Sequence, residues 1–205
     1  MLDKVLLNWE PYTLKEDNLP CLITYGKHMG GSHLSIVLIA NLFLQGSKIL
    51  FLTAYPMARD NFLNQIEEDT SRVAFVDSLE SLEESLDKDA IIIESGNATL
   101  FLNAIKLIPD LDERVIFVKN IEIFNEEIFN TCLENQKVIL SGDIDECNFK
   151  NNISIEKFYT IIAFNQPETP IRIEIPKLEM WSSYLKNDKQ SGILTLHDEQ
   201  NRRTP

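Results

Sequence analysis

The stretch CLITYGKHMGGSHLSIVLIANLFL, residues 21–44, decides the fold that this chain adopts. It begins with a short apolar run, passes through a turn that holds Gly26, Gly30 and Gly31, and ends in a long apolar segment, residues 32–44. This order predicts a strand, a glycine turn and a buried helix. Backbone N–H groups of such a turn and of the helix N-terminus face an anion. The stretch therefore predicts an anion-binding loop.

From residue 48 to residue 143 the chain repeats one pattern, in which a solid apolar run is followed by an amphipathic segment. The apolar runs predict strands that are buried on both faces, and the amphipathic segments predict helices that cover a sheet. After a first strand at 22–24, strands are predicted at 48–54, 73–76, 90–93, 115–118 and 138–140. Helices are predicted after residue 56 and at 78–86, 98–108 and 121–133. The fold class is therefore α/β, with a mostly parallel, doubly wound sheet.

The C-terminal part departs from this pattern. Residues 159–164 are strand-like, residues 171–175 alternate strictly between apolar and polar, and residues 193–196 are a candidate partner for them. We expect C-terminal antiparallel edge strands here. No linker or repeat divides the chain, so a single domain is predicted over residues 1–205, with 1–18 as a lead-in and 197–205 as a flexible tail.

Composition excludes several classes of function. The net charge of −13 provides no basic footprint, so direct nucleic-acid binding by this chain alone is not expected. No apolar run approaches the roughly twenty residues of a membrane span, so no membrane association is expected. Cys21, Cys132 and Cys147 are widely separated and form no CxxC pair. With no signal-like N-terminus, reduced thiols and a cytoplasmic location are predicted.

The run from Gly26 to Gly31, placed between a strand and a helix, resembles the phosphate loop of P-loop NTPases. With the α/β alternation over residues 20–143, the resemblance is to their RecA-like group. It implies a nucleotide-binding loop made of Gly26, Lys27, Gly30, Gly31, Ser32 and His33. In the family, a Lys that neutralises phosphate and a Ser or Thr that holds Mg²⁺ follow the last glycine. Here Ser32 and His33 occupy those positions, so the loop is predicted to be vestigial or to bind only an anion.

The family's acidic strand end is altered as well. Four apolar residues, 115–118, are followed by Lys119 and Asn120, where the family has Asp and often Glu. Glu94, after residues 91–93, and Asp143, after the next strand, are the remaining acids at strand ends. No catalytic residue is assigned. No metal site is assigned either, because His28 and His33 lack an identifiable third ligand and His197 lies in the tail.

These losses favour a non-catalytic RecA-like subunit, a pseudo-ATPase without cofactor that acts in the assembly of a protein complex or self-associates. The alternative is a divergent ATPase that binds ATP with Mg²⁺, with Lys27 as the phosphate cation and Glu94 or Asp143 at the metal. A third hypothesis is a non-nucleotide enzyme with its site near Gly26, Ser95 and Ser141. Residues 59–89 carry ten acidic and three basic side chains. They are interpreted as solvated helix faces, with a docking surface for a basic partner as the alternative.

Overall fold

A computed structural model describes residues 14–26, 30–67, 70–94, 98–164, 182–187 and 191–195. The described residues form one sheet with helices on both faces. Its strands, in chain order, are β1 (Cys21–Thr24), β2 (Lys48–Thr53), β3 (Val73–Val76), β4 (Ala90–Glu94), β5 (Arg114–Lys119), β6 (Val138–Gly142), β7 (Thr160–Ala163), β8 (Ser182–Asn187) and β9 (Ser191–Thr195).

Strands β1 to β7 form a parallel sheet. The order across the whole sheet is β3-β4-β2-β5-β6-β1-β7-β8-β9. Every residue of β5 and β6 is buried, because helices cover both faces of the inner strands. The predicted parallel α/β architecture is confirmed. Strand β3 has the predicted bounds, β2 ends one residue earlier than predicted, and β1, β4, β5 and β6 are one or two residues longer.

The expected antiparallel edge does not begin at residues 159–164, and this part of the prediction is wrong. These residues contain β7, which pairs in parallel with β1 and is buried along its whole length, as an inner strand is. Beyond it, β8 runs antiparallel to β7, and β9 runs antiparallel to β8. The predicted strand at 171–175 lies outside the described residues, as do residues 1–13 and the predicted tail at 197–205.

In the described part of the chain, five α-helices alternate with the strands. They are α1 (Gly31–Leu44), α2 (Pro56–Ile66), α3 (Leu79–Glu83), α4 (Ala98–Leu107) and α5 (Glu126–Leu133). None of these helices is both long enough and apolar enough to span a bilayer.

Helix α4 ends one residue before its predicted end, and two other helices are shorter than predicted by several residues. The helix expected over 78–86 ends after Glu83, where Glu80, Glu83, Glu84 and Asp87 would stack like charges along a continued helix. The helix expected over 121–133 is interrupted, and only a 3-10 turn forms at Ile121–Ile123. Asn125 starts α5 afresh, because its side chain accepts a hydrogen bond from the backbone N–H of Ile128 at 3.0 Å.

Each face of the sheet carries its own apolar core. On one face α1 and α2 pack over the sheet, and the rings of Phe43 and Phe51 both contact Phe62 edge-on. On the other face α3, α4 and α5 pack, with Phe101 and Phe129 in the core. Helix α1 is apolar nearly all round because it is covered by the sheet and by α2, and ten of its residues are buried.

Candidate functional site

An open cavity of about 650 Å³ lies where the parallel strands end and α1 begins. In open α/β sheets, ligands bind at the carboxyl ends of the strands. This cavity, called the strand-end cleft below, is therefore the candidate functional site. It is lined by Tyr25, Gly26, Gly30, Ser32, Tyr55, Asn120, Glu122, Ile123, Asp143 and Glu146.

The glycine turn reaches the strand-end cleft. Gly26, Gly30 and Ser32 line it, and the side chain of Ser32 is exposed. Gly30 has a φ of 84°, a left-handed conformation that favours glycine, and its carbonyl accepts the N–H groups of His33 and Leu34 to begin α1. Lys27 lies outside the described residues.

Tyr25 was missed by the sequence reasoning, although it occupies the centre of the site. Its side chain is only 7% exposed, and its ring packs against the backbone of Gly31. A Cβ at Gly31 would lie 2.4 Å from the ring atom Cδ1, so no larger residue fits there while the ring stays in place. An aromatic residue directly between the first strand and the glycine turn was the signal that could have identified it.

Lys119 lies directly beneath Tyr25. Its Nζ donates a hydrogen bond to Tyr25 Oη and lies 4.7 Å from the ring centroid. The hydroxyl groups of Tyr25 and Ser141 share a further hydrogen bond of 3.2 Å. Lys119 is 1% exposed, and this burial lowers its pKa to about 8, although the Glu122 carboxylate opposes the shift. The cation predicted at the end of β5 is therefore present, but it does not face the strand-end cleft.

The cleft itself presents carboxylates. Glu122, Asp143 and Glu146 line it, and Glu122 is held by the backbone N–H of Asp143 at 3.0 Å and by the Asn120 amide at 3.1 Å. Partial burial, together with the neighbouring carboxylates of Asp145, Glu122 and Glu146, raises the pKa of Asp143. These crowded carboxylates oppose one another's ionisation, and their negative charge repels a further anion from the cleft.

Glu94 does not belong to this site, so its suggested role at a loop-bound metal is wrong. It ends β4, and β2, β5 and β6 separate β4 from the loop strand β1. Four strand spacings place it about 19 Å away across the sheet. Its carboxylate instead pairs with the Arg59 guanidinium at 2.8 Å. Asp143 does reach the cleft, while Ser95 lies outside the described residues.

His33 is half-buried at the start of α1, and its Nε2 has no hydrogen-bond partner among the residues that the structure describes. Burial lowers its pKa, which keeps the imidazole neutral near pH 7. Within the described part of the chain, no group of three or more His, Cys, Asp or Glu side chains is placed to hold a metal ion.

The sheet, the glycine turn and the helix that follows define an α/β domain of Rossmann-like architecture, which is compatible with the P-loop NTPase fold. Comparisons of the chain with protein-family models, with curated proteins and with solved structures found no match.

Proposed function

We propose that this chain is a non-catalytic P-loop-type domain of the RecA-like kind, which acts in the assembly of a protein complex and does not hydrolyse ATP. The observation that carries the proposal is the pairing of Lys119 with Tyr25 beneath the glycine turn. The cation at the end of β5 is buried under the aromatic ring, and only carboxylates and neutral groups face the cleft from the described residues.

Phosphoryl transfer depends on positioning and on neutralising the charge of the phosphate groups. Two unit charges of the same sign about 6 Å apart repel by about 3 kcal/mol at an effective dielectric constant of about 20. The carboxylates of Glu122, Asp143 and Glu146 line the cleft, so each opposes a triphosphate unless a metal intervenes. Ser32 stands where P-loop NTPases have a lysine, and its uncharged side chain does not offset the negative charge of these carboxylates.

Titration of the purified chain with Mg-ATP tests this proposal. We expect no saturable heat of binding in calorimetry and no release of inorganic phosphate above a protein-free blank. The assembly role predicts that the chain, tagged in the cells that produce it, elutes at a native mass well above its own 23.6 kDa. That mass should stay the same whether ATP or EDTA is added.

The alternative is a divergent Mg-ATPase that uses Lys27 as the phosphate cation. The position of Asp143 favours it, because this carboxylate lies in the cleft beside the glycine turn. A Lys27→Ala variant distinguishes the two functions, with Lys106→Ala as the matched control, since Lys106 is exposed on α4. ATP hydrolysis that Lys27→Ala abolishes and Lys106→Ala preserves would establish the ATPase and refute the non-catalytic proposal.

A further inference from the structure

We propose that the outer edge of β3 binds an extended, basic segment of a partner protein, which adds to the sheet as a further strand. The inference deepens the proposed role in assembly and rests on it for its biological purpose. The surface involved, called the β3 edge below, consists of β3 with its exposed Phe75, together with the acidic residues of and next to α3.

The backbone of the β3 edge is available for pairing. Among the described strands, β3 stands at the end of the sheet and pairs with β4 alone. An edge strand presents unpaired N–H and C=O groups, which proteins commonly protect with charged residues, proline or a bulge. Val73–Val76 contains no charged residue and no proline, and its pairing with β4 is continuous over all four residues. The main protection of this edge is its short length.

Phe75 provides an apolar contact on this edge. Its side chain is 49% exposed, although Ile92, its partner on β4, is fully buried. The Arg59 guanidinium lies 5.5 Å from the ring centroid and covers the ring only in part. A strand added beside β3 would place a side chain next to Phe75, and cross-strand pairs of this kind stabilise sheets.

The charge around the edge selects a basic partner. Asp77, Glu80, Glu83, Glu84 and Asp87 are exposed between β3 and β4. Glu80, Glu83 and Glu84 form no ion pair with the described part of the chain, whereas the basic residues nearby are engaged. Arg59 pairs with Glu94, and Arg72 pairs with Asp89 at 2.6 Å. The unpaired negative charge next to an open edge complements lysine and arginine on an incoming strand.

A second copy of this chain fits the same edge poorly. Pairing β3 with β3 would bring the two sets of acidic residues together, and each chain carries a net charge of −13. Like charges across an interface cost several kcal/mol. The partner that fits the β3 edge is therefore a basic extended segment of a different protein, added by main-chain pairing as in other complexes that extend a sheet.

The test uses the full chain and a fluorescent synthetic peptide of alternating lysine and valine. We expect saturable binding by fluorescence anisotropy, weakening as salt increases, and slower amide hydrogen exchange at residues 73–76 in the complex. A peptide of alternating glutamate and valine should not bind. A lysine and valine peptide with a central proline, which has the same charge but cannot pair along its length, should bind at least about tenfold more weakly.

Variants of the chain locate the binding. Phe75→Lys should weaken binding at least about tenfold, because it removes the apolar contact and repels the peptide. Leu44→Lys is the matched control, since Leu44 is 51% exposed at the end of α1 and the charge change is the same. Replacing Glu80 and Glu83 together by Gln should weaken binding by about threefold to tenfold and reduce its dependence on salt. Thermal unfolding of each variant checks that the fold is kept.

Equal loss of binding in Phe75→Lys and Leu44→Lys, or no binding at all, would overturn the proposal. A dimer that Phe75→Lys dissociates would also overturn it, in favour of self-association. This result is separable from the nucleotide test. If the chain hydrolyses ATP and still binds the peptide at β3, only the proposed non-catalytic function is refuted. If it neither hydrolyses ATP nor binds the peptide, only the proposed docking at the β3 edge is refuted.

Discussion

The ammonium group of Lys119 is buried against the phenol ring of Tyr25, and its hydrogen bond to Tyr25 Oη joins the end of β5 to the start of the glycine turn. Strand β6 lies between β5 and β1 in the sheet, and its Ser141 completes the network through the Tyr25 hydroxyl. A buried cation, an aromatic ring and a serine thus fill the region behind the strand-end cleft.

Removing the Tyr25 hydroxyl should destabilise the fold. Tyr25→Phe leaves the Lys119 ammonium without its hydrogen-bond acceptor and Ser141 without its partner. A loss of about 1–3 kcal/mol in the free energy of unfolding is expected, because a buried polar group is left unsatisfied. Urea denaturation measures it. Tyr55→Phe is the matched control, because Tyr55 is half exposed and should show little change.

Replacing Lys119 by an apolar residue should change how stability depends on pH. Burial lowers the pKa of Lys119 to about 8, below the roughly 10.4 of a lysine in an unfolded chain. Between these values the unfolded state binds more protons, so this group adds stability as the pH rises from about 8 to 10.4. Lys119→Met lacks that contribution, and it should be more stable than the parent at pH 7, with the advantage shrinking by about 3 kcal/mol toward pH 10.

Urea titrations of both proteins between pH 7 and pH 10 measure this difference. The ionisation of groups that do not interact with Lys119, such as the buried cysteines, affects parent and variant alike and cancels in the comparison. A stability difference that stays constant across this range would show that Lys119 is not held in a desolvated site.

Gly31 and Tyr25 should show strong coupling. A Cβ at Gly31 meets the ring of Tyr25 at 2.4 Å, so Gly31→Ala should cost about 1–3 kcal/mol as the ring is displaced. In a Tyr25→Ala background the same substitution should cost little, since the ring is gone. A double-mutant cycle by chemical denaturation measures the coupling, and additive effects would contradict the packing described.

The three thiols should be unreactive in the native protein. Cys21, Cys132 and Cys147 are buried and free, and burial raises the pKa of all three, that of Cys147 to about 12. Because the thiolate is the reactive form, a disulfide reagent at pH 8 should modify them only on the time scale of unfolding. In denaturant all three should react within minutes, and rapid labelling of any one in the native state would show local opening.

The fold was largely predictable because strands that are buried on both faces must be continuously apolar. The strand ends were less predictable, since Glu94 and Lys119 are polar residues that extend their strands. Helix lengths depended on local interactions that the spacing of apolar residues does not reveal. The acidic run after Leu79 shortens α3, and the Asn125 cap separates α5 from the preceding turn.

The site was predicted only in part. The glycine turn and the lysine at the end of β5 were found from the sequence, because both follow apolar runs at fixed positions. Tyr25 and Glu122 were not, because their roles depend on contacts with residues far along the chain, such as Lys119 and Asp143. Glu94 was placed wrongly because the order of the strands across the sheet differs from their order along the chain.

The sequence by itself determined that a parallel α/β sheet forms and that serine, not lysine, follows the last glycine of the turn, since both follow from residue type and local spacing. The tertiary structure alone decided that Lys119 lies beneath Tyr25, that carboxylates line the strand-end cleft, and that β3 is the edge strand among those described. The physical reason is that residue spacing along the chain sets secondary structure. The environment of a charge is set by whichever distant strands pack beside it.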